Sequence, residues 1–464
     1  MTKDLTDGSP MKLILGFSIP VLLGYVFQQF YNVVDTVIVG KSLGVEALAA
    51  VGSTGSVNFL IIGFCMGLCS GFAIPVAQKF GAKDFSLMRQ YAFNAGILSI
   101  IFSIVLTVLT SLFCRPILVA MQTPPDIIDR AISYIRIIFY GIPLIILYNM
   151  VSGIIRALGD SKTPVYFLIL SSLMNIGLDL LFILVFHFDV AGAALATIIS
   201  QGISGIACLV YMTKKFEILQ FSQDEKKIRP RHFKTLCNVG IPMGLQYSIT
   251  AIGSVILQVS VNSLGSGIVA AVTTGSKISM FFSTPFDALG TTMATFGGQN
   301  TGSGKFERLK KGVRASSLLG FFYSIVAWIV MYFFGAKLCL LFLGSDNVQI
   351  IENAHLFLII ISAFYFPLAL VNIVRFMIQG MGFSRFAVFS GIFEMIARIG
   401  VALFAVPVWH FTAVCFASPV AWILADFFLV PAFFQCYRKL EDLQRKYEVK
   451  KASQQVSLSA NEKG

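Results

Sequence analysis

The sequence predicts an all-α integral membrane protein, with twelve transmembrane helices in two pseudo-symmetric six-helix bundles around a central cleft. Three observations carry this reading. Of 464 residues, 56% are hydrophobic and only 12% charged, whereas a soluble domain averages about 25% charged. Apolar runs of spanning length, about 17 to 25 residues, recur between residues 13 and 437 and leave no room for a soluble domain. The placement of the basic residues and a long internal repeat then organise those runs.

Lys and Arg gather in alternate connections: Lys79, Lys83 and Arg89; Arg156 and Lys162; a run from Lys214 to Lys234; Lys305 to Arg314; Arg385; and Arg438 to Lys451. The intervening connections hold only Lys41, Arg115, Arg130, Arg136 and Lys337. Basic loops stay on the cytoplasmic side, so both termini are expected there and the span number is even. The net charge of +12 is accounted for by this asymmetry and calls for no nucleic-acid partner. Spans are expected near 13–39, 46–78, 90–113, 131–155, 164–187, 190–213, 234–261, 267–297, 313–334, 353–379, 385–407 and 411–437. The first run is too long for a signal-peptide core and is read as a retained span. Eight scattered cysteines without C-x-x-C spacing read as apolar packing residues, with no metal site or disulfide framework.

The polar stretch "KKFEILQFSQDEKKIRPRH" divides the chain into an N-lobe (1–213), a linker (214–233), a C-lobe (234–437) and a tail (438–464). The lobes repeat one another. "FSIP" at Phe17–Pro20 matches "VGIP" at Val239–Pro242, "SLGVEALAAV" from Ser42 matches "SLGSGIVAAV" from Ser263, and "QKFGAKDF" from Gln78 matches "QNTGSGKF" from Gln299, at an offset of about 221 residues. Both lobes start on the same side, so the repeat is parallel, an arrangement that transporters use for rocking between two access states. Pro20 and Pro242, matched in the first span of each lobe, each remove a helical hydrogen bond and are candidate hinges.

An ionisable group at membrane depth costs about 2.5 to 3.5 kcal/mol, so each is a functional candidate. Asp35 lies about 33 Å along the first span, Asp179 about 22 Å along the fifth, and Thr197 about 10 Å down the sixth, by helical rise. Asn175 stands one turn before Asp179 on the same face. Asp35, Asn175, Asp179 and Thr197 can therefore meet at one depth as an oxygen-rich site for a proton or a sodium ion, and they are the expected cation-coupling residues. No other cofactor or metal is expected.

In the second half, Glu394 and Arg398 are four residues apart and can pair on one helix face, as a structural pair, a gate lock or a substrate contact. Asp287 and Asp426 are further candidates for the cleft or gate. Phe27, Tyr31, Tyr148, Met174 and Met280 lie on spans expected to border the cleft, where aromatic and thioether side chains adapt to varied ligands.

The "SIP" proline with N-x-x-D in the first span, "QKFGAKD" after the second, "IIRALGDSKTP" after the fourth, N-x-x-x-D in the fifth and "GAALATIIS" in the sixth together resemble the multidrug and toxic compound extrusion family. "FEMIAR" in the second half is similar to the bacterial branch of multidrug pumps. The resemblance spans nearly the whole chain. It implies secondary active efflux of amphipathic, often cationic compounds, driven by H+ or Na+ entry through alternating access. It also implies a cation site in the N-lobe at Asp35, Asn175, Asp179 and Thr197, with Pro20 as the kink proline. Another branch carries essential acids in its seventh and tenth spans; here the seventh has none and Glu352 sits at the end of the tenth.

Three rivals are weighed against this. A lipid-linked oligosaccharide flippase of related architecture should concentrate basic residues at membrane depth, where only Lys277, Arg375 and Arg398 qualify. An enzyme is not expected: His187, His232, His355 and His410 are isolated, and "GGQNTGSGKF" fails the phosphate-loop spacing. A channel needs a continuous polar pore. The protein is therefore expected in the bacterial inner membrane, as a monomer contacting the bilayer and small molecules.

Overall fold

The computed structural model describes residues 2–121, 123–343 and 348–461. The described residues are predominantly helical, with no strand among them. The first half comprises α1 (Pro10–Leu43), α2 (Val45–Ser53), α3 (Gly55–Gly81), α4 (Phe85–Ala120), α5 (Ile128–Tyr140), α6 (Ile142–Ala157), α7 (Lys162–Leu180) and α8 (Val190–Lys215). The second half comprises α9 (Pro230–Asn262), α10 (Ser266–Gly302), α11 (Glu307–Cys339), α12 (Val348–Ala363), α13 (Tyr365–Gly380), α14 (Ser384–Gly400) and α15 (Val406–Asn461).

Among the described residues, eight helices are long and apolar enough to cross a membrane, or ten if each of two bent pairs counts as one span. The bends lie between α5 and α6, at 45°, and between α12 and α13, at 49°. Two differences from the expected set of twelve have local causes. The helix α10, rich in Thr, Ser and Gly, falls outside the apolar set, and α14 runs into α15 without a helix break, its chain direction changing at His410 with φ of 46°.

The repeat is written into the backbone as well as the sequence. Gly44 and Gly265 both take positive φ, as do Lys83 and Gly304, Gly159 and Gly382, and His187 and His410. Each pair keeps the offset of about 221 residues. One π-helical turn closes α7 at Leu181–Val185 and another closes α14 at Val401–Ala405. Pro20 and Pro242 both lie inside their long helices.

The halves meet along α3 and α9, where small residues let the backbones touch. A Cβ at Gly67 would lie 2.5 Å from the Met243 carbonyl oxygen, and one at Gly71 2.5 Å from the Gly240 Cα. At the basic end the contact is reciprocal. A Cβ on Gly81 would stand 2.0 Å from the Gln299 oxygen, and a Cβ on Gly302 would stand 1.7 Å from the Gln78 oxygen. No side chain larger than hydrogen fits there, so α3 and α10 cross closely.

The N-terminal segment seals the same end. Leu5 and Thr6 are buried. Lys3 N–H donates to the Leu158 carbonyl at 3.0 Å, and Leu5 N–H donates to Gln299 Oε1 at 2.8 Å. Arg308 donates to the carbonyls of Gly8 and Leu5, at 2.9 and 3.1 Å, and Lys305 pairs with Asp7. The segment thus ties the α6–α7 turn of one half to α10 and α11 of the other. The linker is fixed separately to α4: Arg89 clamps Glu225 through two bonds of 2.7 Å, and Asn94 bonds the backbone of Lys227 and Arg229.

Candidate functional site

The sequence "QQFYNVVD" keeps α1 helical through a polar face, and that face meets α7 and α8. The carboxyls of Asp35 and Asp179 lie close enough to act on one another. Asn175, one turn before Asp179, donates from Nδ2 to Thr197 Oγ1 at 3.4 Å, and the threonine hydroxyl donates to the Ala193 carbonyl at 3.0 Å. The four residues singled out in the sequence therefore come together from three helices. Asp179 and Asn175 are buried at 0% and 2% exposure.

Asp35 Oδ1, Asn175 Oδ1 and both carboxyl oxygens of Asp179 are buried without a donor among the described residues. A buried oxygen left without a donor is costly, and two carboxylates in contact repel when both are ionised. The donor set is hard and all oxygen, which suits a proton or a small cation such as sodium. Among the described residues no group of three or more His, Cys, Asp and Glu is placed to hold a metal ion, and all eight cysteines are free.

Below this cluster lies a cavity of about 140 Å³. Its walls come from α1, α3, α6, α7 and α8 of the first half and from α9, α10 and α13 of the second. Tyr31 and Tyr148, expected at the cleft, line it. Tyr31 also lies beside Gln28 and Gln201 and in the field of Asp35 and Asp179, linking cavity to acid pair. Phe27, Met174 and Met280 do not line it; Phe27 on α1 and Met280 on α10 are exposed at 42% and 54%.

Several residues with evident roles in this geometry escaped the sequence reading. Tyr134 of α5 is buried in the field of both acids. Gln201 lies one turn after Thr197 on α8, a helical spacing that could have revealed it. Arg156, assigned from sequence to a basic loop, is instead in the last turn of α6 and faces the cavity. The helix extends past the expected end of its span, and the shift converts a loop cation into a wall residue.

The second-half candidates divide. Glu394 and Arg398 pair at 3.3 Å as their spacing predicts, but both are buried inside the C-lobe, and Arg375 joins them from α13 as a second partner of Glu394. Arg375 Nε also donates to Ser390 Oγ at 3.0 Å. The cluster therefore fastens α13 to α14 rather than facing the cavity. Asp426 is half-buried in the field of Arg375 and Glu394, with one carboxyl oxygen lacking a donor. Asp287 is exposed one turn from Thr291, which lines the cavity.

A MatE family model matches the chain twice, over residues 20–181 and 242–404. The chain belongs to the MatE family. The two copies of the match begin at Pro20 and Pro242, and each MatE half ends at or near its π-helical turn. Among curated MatE relatives, the "Probable multidrug resistance protein YoeA" of Bacillus subtilis (strain 168) is 31% identical over 344 residues, covering 73% of this chain and 74% of that protein. A protein named "FAD transporter" from Shewanella oneidensis is 24% identical over 370 residues, covering 78% and 80%. The solved structure titled "Outward-facing conformation of a multidrug resistance MATE family transporter of the MOP superfamily" superposes with a TM-score of 0.88 at 24% identity, covering 95% of this chain and 99% of that one. The MatE fold thus extends over 95% of the chain.

Proposed function

We propose that the protein is a secondary active multidrug exporter rather than an enzyme. It moves amphipathic small molecules by alternating access, in exchange for H+ or Na+ bound at Asp35, Asn175, Asp179 and Thr197. The observation that carries this reading is the set of four donorless buried oxygens at the head of a cavity shared by both halves. A proton or sodium ion entering that set satisfies it, and Tyr31 connects its occupancy to the cavity.

Reciprocal packing of α3 on α10 and the N-terminal segment hold the basic end shut. With that end cytoplasmic and the protein in the bacterial inner membrane, the arrangement is an outward-facing one. Opening the basic end to load substrate requires these contacts to part, while Pro20 and Pro242 let α1 and α9 flex as the halves rock. The protein acts as a monomer, because both walls of the cavity come from one chain.

Cationic groups, expected from the sequence as common substrate features, find Asp287 exposed on α10. The name multidrug resistance protein carried by a relative of 31% identity supports a broad range of small molecules. A lipid-linked oligosaccharide flippase would need a larger basic cleft; among the described residues lining the cavity a single one is basic.

The test is transport into proteoliposomes of a fluorescent amphipathic dye under a proton gradient and, separately, a sodium gradient. Accumulation against the dye gradient under one of them supports export and names the ion. Equilibration without accumulation under both, by folded protein, overturns it.

A further inference from the structure

Among the described residues that line the cavity, Arg156 alone carries a charge. The rest of the polar lining is neutral, with the phenols of Tyr25, Tyr31 and Tyr247 and the amides of Gln28, Asn149 and Gln201. No ion pair or hydrogen bond engages the Arg156 guanidinium among the described residues. The carboxylate closest to it in sequence, Asp160, is committed elsewhere. It caps α7, accepting from the N–H groups of Lys162 and Thr163 at 2.9 and 3.0 Å and from the Thr163 hydroxyl at 2.7 Å.

The repeat sharpens the point. Gly159 and Gly382 take matching positive φ values of 85° and 90°, and three residues before each stand Arg156 and Gln379. The glutamine donates to Gln246 Oε1 at 3.0 Å and stays within the C-lobe. Where the second half places a neutral side chain bonded to its own bundle, the first half places a cation whose companions in the cavity wall are all neutral. Tyr148, Tyr247, Cys69 and Cys208 lie in its field.

An uncompensated guanidinium in a partly enclosed cavity repels cations and draws anions, and its planar fork matches a carboxylate or a phosphate. We propose that Arg156 is a substrate-selecting residue and that the compounds bound in this cavity carry an anionic group: amphipathic anions, or zwitterions whose carboxylate or phosphate sits on Arg156. This rests on the export reading above and names its substrate class. The tyrosines accept a flat aromatic body, and a cationic end of a zwitterion is left to face Asp287.

Rhodamine 110 and rhodamine 123 share one aromatic body and differ in a free carboxylate against its methyl ester. Binding of each is measured by fluorescence anisotropy on the purified full chain, for wild type, Arg156→Gln and Arg156→Lys. A charge-assisted bond predicts that wild type binds the free acid about tenfold more tightly than the ester. Arg156→Gln removes that preference by weakening the free acid towards the level of the ester, with an unshifted melting temperature showing that the variant is folded, and Arg156→Lys retains part of it. Wild-type preference for the ester, or an equal loss of both dyes in Arg156→Gln, overturns the proposal. Gradient-driven accumulation of the two dyes in proteoliposomes separates the readings: uphill transport with an ester preference sinks the anion assignment alone, whereas no uphill transport of either sinks the export reading.

Discussion

Gln78 and Gln299 hold the same position in the two halves, and each amide crosses to the other half. Gln78 Nε2 donates to the Gly380 carbonyl at 3.0 Å, and Gln299 Nε2 donates to the Ala157 carbonyl at 2.9 Å. Gly380 and Ala157 are themselves repeat partners, so the closure of the basic end is a pseudo-twofold handshake. Beside each glutamine, Gly81 and Gly302 permit backbone contact that any Cβ would block. Replacing Gly81 with Val therefore overpacks the crossing, at a cost of about 1 to 3 kcal/mol or more. The expected outcome is a lower melting temperature in detergent and loss of transport. Unchanged melting would show that the crossing does not hold the halves.

The N-terminal segment adds a latch to that handshake. A chain lacking residues 2–8 loses the bonds from Lys3 and Leu5 to Leu158 and Gln299 and the contacts to Lys305 and Arg308. A cysteine placed at Gly153, which lines the cavity, is then expected to react faster with a membrane-impermeant thiol reagent applied from the basic face. An unchanged labelling rate would mean that the segment rests on the closed end without holding it.

Glu394 pairs with two buried guanidiniums, so removing it leaves both without their carboxylate partner. Glu394→Gln is expected to cost about 3 to 5 kcal/mol, the range for breaking a buried pair from one side. A triple replacement of Arg375, Glu394 and Arg398 by Met or Leu is expected to fold and to regain most of that loss. Transport that survives in the triple variant marks the cluster as structural, and transport lost from a stable triple variant marks it as part of the cycle.

The linker has its own pH signature. Two hydrogen bonds from Arg89 hold the Glu225 carboxyl down to about 2, from an ordinary 4.5. A depressed folded value means that docking stabilises fully above about 4.5 and is lost as pH falls towards about 2. Hydrogen exchange over residues 216–229 should be protected at pH 7 and rise through that window. Arg89→Gln should show the fast exchange already at pH 7, and equal protection in both proteins would count against the clamp.

Much of this molecule is legible in the sequence because membrane physics restricts it. The repeat could be read from three short matches, and the acid site from helical rise and the rarity of Asp35 and Asp179 at depth. What was hidden depends on end effects of one or two residues. Arg156 looked like a loop cation until α6 ran on to Ala157. Arg375 joins Glu394 only through the packing of α13 on α14, which no local spacing encodes. The latch of residues 3–8 has no periodic signal, since an extended segment is defined by its partners, and Gln299 and Arg308 lie about 300 residues away.

The account turns on the pairing of Asp35 with Asp179, and the most direct measurement compares two kinds of dye movement in proteoliposomes for wild type, Asp35→Asn and Asp179→Asn. One is accumulation driven by the coupling ion; the other is counterflow exchange, which needs binding and rocking but no ion gradient. The prediction is that each variant loses gradient-driven accumulation by at least about tenfold while counterflow persists, because an amide cannot carry the exchanged charge. Accumulation by either variant at the wild-type rate would contradict the assignment of coupling to this site.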